Sequence, residues 1–394
     1  MRDYKLIFLI VFGSLVLLGI SWIEFHLPEP PVTGSSSLNV AEALGGGDVS
    51  GYTRALEPRP FVFPSDHADH PEFRNEWWYF TGNLQTETGQ AFGFQVTLFR
   101  NSLLPESPEQ SGSPWRTNQL YMGHLALSDI QESRFHHAER FQRAALGLAG
   151  TELQPLKIWL DDWEIKGVGN DPMSWQLLAK TKEFGVNLEV TPRKPLVLQG
   201  NQGLSQKGKE PGNASYYYSF TRMSARGEVI TPQGTFDVTG SSWLDREWST
   251  SVLESNQVGW DWFALQLNDG TDLMYYQLRD NAGKPDEQSS GKLVNPNGES
   301  RTLAFDEVAL KVVEFWKSPH SGASYPAGWT VKLPSENLEL EISPRISDQE
   351  LQTTVSYWEG SVSVQGTQNG QPIQGVGYVE MTGYDPLMTS IDGS

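Results

Sequence analysis

The chain contains no cysteine. Disulfides, thiolate metal sites and a cysteine nucleophile are therefore excluded, and so is the lipidated cysteine of a lipoprotein. Basic residues form no cluster after Lys5, and the formal net charge is −19. A chain so charged repels phosphate backbones, which argues against nucleic acid as a partner. No Gly-x-Ser-x-Gly elbow and no phosphate-cradling glycine loop occurs. Long runs of helix formers are few, whereas 38 Gly, 24 Pro and 14 Trp suggest many strands joined by turns. Nothing in this inventory calls for a cofactor.

An apolar run of 18 residues, Leu6 to Ile23, follows Arg2 and Lys5 and is closed by Glu24. Its length suits a bilayer span with the basic flank on the cytoplasmic side. A cleaved signal peptide is the alternative, but the small-x-small site Ala41-Glu42-Ala43 lies far downstream. The expectation is a membrane anchor over 1–24, with the soluble part in the periplasm or outside, or else secretion after cleavage. Residues 25–56, rich in Pro, Gly and Ser, read as a flexible tether.

The segment Asn75-Glu76-Trp77-Trp78-Tyr79-Phe80-Thr81-Gly82-Asn83-Leu84 puts aromatic surface on both faces of a strand. One face suits a core and the other a cavity or second layer. A related pattern returns at Trp260-Asp261-Trp262-Phe263-Ala264-Leu265-Gln266-Leu267, aligning Phe80 with Phe263 and Leu84 with Leu267. Glycine turns follow both (Thr88-Gly89 and Asp269-Gly270), so one hairpin is used twice. Short alternating segments then recur every 10–20 residues or so, which predicts an all-β antiparallel architecture. Domains are expected at 57–250 and 251–390. Glu139 to Leu148 is the main helix candidate, cut off by Gly147 and Gly150, and residues 199–213 read as a polar loop or lid.

Trp243-Leu244-Asp245-Arg246-Glu247-Trp248 is the densest charged constellation. On a strand, Trp243, Asp245 and Glu247 share one face and Leu244, Arg246 and Trp248 the other. Two readings stand: acid/base and electrostatic groups in a low-dielectric pocket, or an ion-paired seam joining the two domains, with Arg246 held against a carboxylate such as Glu76 and stacked on Trp248. Glu76 is the strongest single acid candidate, with a salt bridge to Arg246 or Arg74 as its structural alternative. His124 shares a face with Met122 and Ala126, as an acid/base group, a ligand contact or a hydrogen-bonded structural histidine. His67-Ala68-Asp69-His70 lacks the spacing that puts two imidazoles on one metal, and no metal site is expected. His136-His137 reads as surface on a turn. Tyr275, Tyr276 and Gln277 either enter a cavity or pack a barrel.

These residues resemble a known family. Phe63-Pro64-x-Asp66-His67-x-x-His70-Pro71-x-Phe73-Arg74-x-Glu76-Trp77-Trp78-Tyr79-x-Thr81-Gly82 is similar to a block of the AttH-like and carotenoid 1,2-hydratase (CrtC-like) superfamily. Tyr121 to Asp129, Trp159 to Trp163, Gly240-x-x-Trp243-x-Asp245-x-Glu247-Trp248 and Gly259-Trp260-x-Trp262 resemble its other blocks, over roughly residues 60–385. The resemblance implies two tandem lipocalin-like β-barrels, often exported, with an apolar pocket between them. Some relatives are named secreted hydrolases or accessory proteins of ABC transporters. The hydratase branch's His-x-Trp would fall on Arg246-Glu247-Trp248, with Arg in the His place. Its Tyr-x-Asp would fall on Tyr275-Tyr276-Gln277, with no acid in the Asp place. Both departures speak against carotenoid hydration.

The leading expectation is thus an exported, membrane-tethered protein that binds a large apolar molecule, a lipid or isoprenoid, between its barrels, as an accessory to an ABC transporter. The alternative is a hydratase, isomerase or hydrolase in the same pocket. Glu76, Asp245, Arg246 and Glu247 would supply the chemistry. Trp78, His124, Trp248, Trp262, Tyr275 and Gln277 would face the ligand.

Overall fold

The structure is a computed structural model that describes residues 49–384, except 107–112, 170, 252 and 255. The expected anchor over 1–24 and most of the tether lie outside the described residues. Among the described residues no helix is long and apolar enough to cross a membrane.

Among the described residues, two antiparallel sheets account for nearly all regular structure, with three short 3-10 turns outside the strands. The first sheet begins with β1 (Asn75–Gln85), β2 (Ala91–Ser102), β3 (Gln119–Asp129) and β4 (Arg134–Arg143). It continues with β5 (Ala149–Leu153), β6 (Leu156–Leu160), β7 (Trp163–Val168), β8 (Asp171–Lys180) and β9 (Gly185–Pro192). Short β10 (Val197–Leu198) and β11 (Leu204–Gln206) precede the long β12 (Ala214–Thr231) and β13 (Gly234–Ser249). The second sheet comprises β14 (Gln257–Leu267), β15 (Asp272–Asp280), β16 (Ser290–Val294), β17 (Ser300–Leu303) and β18 (Ala309–Lys317). Then come β19 (Ser324–Leu333), β20 (Leu338–Pro344), β21 (Glu350–Leu351), β22 (Tyr357–Gln368) and β23 (Gln371–Met381).

Both sheets use one strand order. The first runs β4-β3-β2-β1-β13-β12-β9 and onward to β5, and the second β17-β16-β15-β14-β23-β22-β20-β19-β18. In each, the opening strand is flanked by the second strand and by the last. The hairpin after each opening strand turns on a left-handed glycine, Gly89 (φ 88°) or Gly270 (φ 93°), a conformation that costs a residue with a Cβ.

Twin closed barrels are not what forms. Of the two barrel-like sheets, one is nearly closed and the other is a half-barrel. At the edge of the second sheet the pairing of β18 with β19 is broken by irregularities around Glu314, and Val313 and Phe315 of β18 are 57% and 63% exposed. Bulges at an edge end pairing instead of propagating it.

Period-2 alternation sorts the side chains. Trp78, Phe80 and Leu84 of β1 enter the first core, with Phe92, Trp163 and Trp175. Phe263, Leu265 and Leu267 of β14 enter the second, with Trp329 and Trp358. The opposite faces of the same strands build a third cluster from both sheets, including Tyr79, Tyr217, Trp243, Trp262, Tyr276 and Tyr357. Both sheets belong to one compact unit. Burying large aromatics on both faces of β1 and β14 is what holds the sheets together.

The helix expected over Glu139–Leu148 does not form. Its first half is strand β4, paired with β3 so that His124 faces Glu139. His136 and His137 likewise sit on this strand and not on a turn.

Candidate functional site

The shared strand order puts two equivalent rows of residues against each other. Across β2, β1, β13 and β12, Thr97, Tyr79, Asp245 and Ser219 are register partners. Across β15, β14, β23 and β22 the matching row is Tyr276, Trp262, Glu380 and Glu359. Tyr79 and Trp262 are aligned in the sequence repeat, so Asp245 and Glu380 hold equivalent places. One acid comes from each sheet.

Between the rows lies a cavity of about 90 Å³. Its walls are mainly aromatic: Trp77, Tyr79, Trp260, Trp262, Tyr276 and Tyr357 are among them. Asp245, Glu247, Glu380, Lys207 and His124 supply ionisable groups. Few convergent polar groups on an apolar wall are the hallmark of a small-molecule site.

Asp245 is 3% exposed. It accepts hydrogen bonds from Ser219 Oγ at 2.5 Å, Trp243 Nε1 at 2.6 Å and the Tyr217 hydroxyl. Burial pushes its carboxyl up to about 7, although these three donors favour the ionised form. Glu380 is half-buried, and desolvation lifts it to about 8 against a hydrogen bond from Trp260, with Asp245 and Glu247 adding to the rise. Glu247 accepts from Ser215 and pairs with Lys207 Nζ at 3.3 Å. Lys207 also lies 4.0 Å from the centre of the Tyr276 ring. Burial alone would lower Lys207, but Glu247 and its neighbours offset this and hold it above its usual range. His124 Nδ1 meets the Tyr357 hydroxyl at 2.7 Å, and its Nε2 meets Glu139 at 3.0 Å. Among the described residues no group of three or more acidic or His side chains is placed to hold a metal.

Of the residues singled out in the sequence, Asp245, Glu247, His124 and Trp262 line the cavity. Glu76, Trp78, Arg246 and Trp248 do not; they occupy the interior of the first sheet. There Glu76 is ion-paired to both Arg100 and Arg246. Arg246 lies 4.1 Å from the Trp78 ring centre and 5.0 Å from that of Trp248, and His70 stacks on Trp248 at 3.9 Å. The seam is therefore internal to one sheet. Tyr275 belongs to the second core, and Gln277 shares its face of β15. The cavity residue is Tyr276, one position along, because a shift of one residue on a strand exchanges faces. Lys207, on the loop after β11, Tyr357 and Glu380 were not among the expected site residues. Glu380 had a signal: it stands just before an apolar-Thr-Gly ending, like that of the first strand.

Known proteins share this architecture. An AttH-type protein of Nitrosomonas europaea has a crystal structure that superposes with a TM-score of 0.74 at 34% identity, over 84% of this chain and 99% of the other. The crystal structure of kievitone hydratase from Nectria haematococca superposes with a TM-score of 0.65 at 14% identity, over 85% and 97%. In sequence, kievitone hydratase of Fusarium solani subsp. phaseoli is 22% identical over 236 residues, 57% of this chain. The match spans 65% of that relative's own length. Residues 54–384, the span that holds both sheets and the cavity, match the AttH-like family, and the chain belongs to it.

Proposed function

We propose that the cavity between the sheets binds an apolar, unsaturated segment of a substrate and adds water to it, or removes water from it, by acid–base catalysis. One observation carries this reading: equivalent positions in the two rows bring two carboxyl groups to a single cavity, Asp245 beside three hydrogen-bond donors and Glu380 beside Trp260 alone. Environments that separate two carboxyls in this way divide them into acid and base.

In the hydration direction, the Glu380 carboxyl gives its proton to one alkene carbon, and the π pair becomes the new C–H bond. The cation at the other carbon takes the oxygen of a water molecule, whose proton passes to the Asp245 carboxylate. The proton then returns from Asp245 to Glu380 through water, so both groups are restored. Trp77, Trp260 and Trp262 wall the substrate, and their π faces favour a transient cation. A cavity of about 90 Å³ suits a short branched alkene segment, such as one isoprenoid unit of a longer molecule. The likeness to a hydratase agrees in kind. On the same reading the apolar segment at 6–23 would hold the site at a membrane surface, and ABC transporter components are the partners to seek.

The test uses the full chain, with prenyl alkenes and the corresponding tertiary alcohols, in ¹⁸O-labelled water. Expected is labelled alcohol or loss of water, reduced on the order of 100-fold or more in Glu380→Gln. Native mass spectrometry supplies the contrary result: an apolar molecule that co-purifies unchanged and is held equally by Glu380→Gln would make the protein a carrier.

A further inference from the structure

The two rows differ most in the residue beside each acid. Beside Asp245 stands Ser219, which donates to the carboxylate and accepts from Gln199 Nε2 at 2.8 Å, so its donor is held in place. Beside Glu380 stands Glu359, wholly buried. The Tyr79 hydroxyl donates to Glu359 Oε1 at 2.7 Å, while Oε2 has no hydrogen-bond partner among the described residues. A buried carboxylate oxygen left unpartnered is strongly disfavoured, and a protonated carboxyl much less so.

Among the described residues no cation is paired with Glu359 or Glu380. Glu359 acts on, or is acted on by, Glu380 and Tyr378 from β23, Tyr79 from β1 and Tyr357 on its own strand. Beyond Tyr357 stand His124 and Gln95, at 2.7 and 3.3 Å from its hydroxyl. Glu380 in turn faces Trp260, Asp245 and Glu247, and the nearby Lys207 is engaged by Glu247.

We propose that Glu359 is a positioning residue: where the first sheet sets Ser219 as a donor on Asp245, it sets none on Glu380, which is left with Trp260 alone and stays in its acid form, while Ser219 leaves Asp245 free to act as base. The inference rests on the acid–base reading above and extends it by naming what breaks the symmetry between two equivalent acids. Burial lifts Glu359 well above the usual carboxylate range, and the Glu380 charge lifts it further against the Tyr79 hydrogen bond. The two carboxyls thus titrate as a coupled pair.

Infrared difference spectroscopy of the full chain at stepped pH, each protein against its Glu380→Gln counterpart, isolates the neutral carboxyl of Glu380. Wild type should keep that band through neutrality. Glu359→Ser, which copies the first row into the second, should lower the midpoint by about one pH unit or more. Ser219→Ala makes the reciprocal change and should raise the midpoint of Asp245, read against Asp245→Asn, whether or not Glu359→Ser folds. Folded variants whose midpoints do not move would overturn the proposal. No substrate enters this measurement, so a protein that shows the expected shifts but turns nothing over would refute the catalytic reading and leave the pairing intact.

Discussion

Replacing Glu76 by Gln separates structural from chemical roles in the charged set. Glu76 is 1% exposed, with one oxygen on Arg100 and the other on Arg246, and it also accepts the His70 amide at 3.0 and 3.2 Å. Gln keeps the shape and one acceptor but leaves two guanidinium groups, both wholly buried, without an anion. Removing one member of a buried pair costs about 3–5 kcal/mol. The carbonyls of His70, Phe73 and Ala68, at 2.9, 2.8 and 2.6 Å from the two guanidinium groups, cushion the loss and favour the lower figure. At about 2 °C per kcal/mol, thermal unfolding should fall by roughly 6 °C or more. The pH dependence has a definite sign. Burial would raise Glu76, but Arg100 and Arg246 outweigh it and hold the carboxyl well below its ordinary value of 4.5. Its stabilisation is therefore complete above that pH and is lost as pH falls through the depressed native value, so the gap between wild type and variant should close in acid. Adding Arg246→Met should recover part of the loss, because it removes one stranded charge. A Glu76→Gln protein with unchanged melting temperature and abolished turnover would refute this reasoning and return Glu76 to the chemistry.

Asp272 on β15 ties the second sheet to the first: it meets Lys194 Nζ at 2.7 Å, Arg222 Nη2 at 2.6 Å and Thr221 Oγ1 at 2.8 Å. Asp272→Asn should cost toward the low end of roughly 3–5 kcal/mol, since burial already penalises this carboxylate, and limited proteolysis should cut between the sheets sooner. Asp245→Asn should change the pH profile of stability. The contribution of Asp245 to wild-type stability falls as pH rises from 3.8 through about 7, because the unfolded chain ionises first, and the span is worth a few kcal/mol. The wild-type denaturant midpoint should therefore fall relative to that of the variant between acid and mildly alkaline pH, and an unaltered difference would show that Asp245 ionises normally in the fold.

What the sequence made legible follows from what determines it locally. Alternation and turn glycines are local, so the strands of the repeat, its hairpins and the all-β class could be read from β1 and β14 alone. Which face meets which layer is less local. Where both faces are aromatic, as in Glu76-Trp77-Trp78-Tyr79, polarity cannot tell core from cavity, and a choice of Trp78 over Trp77 or Tyr275 over Tyr276 turns on a single position. β4 misleads differently: Glu-Arg-Phe-Gln-Arg-Ala-Ala favours a helix by propensity, and pairing with β3 overrides it. Lys207 reaches the cavity from a loop, where no periodicity exists to place it.

The acid at Glu380 shows where this boundary falls. The sequence repeat aligns the opening strands, but the closing strands β13 and β23 pair with them through register that the chain sets some 120 residues or more further on. Only that register makes Glu380 the counterpart of Asp245, and only the next strand out reveals that their neighbours are a glutamate and a serine. A duplicated sheet places two acids at one cavity as a consequence of its topology. Telling them apart needs a difference outside the repeat's recognisable core, and the Ser219/Glu359 position supplies one, on a buried face where an unpaired second carboxyl has a cost that packing alone gives no reason to bear.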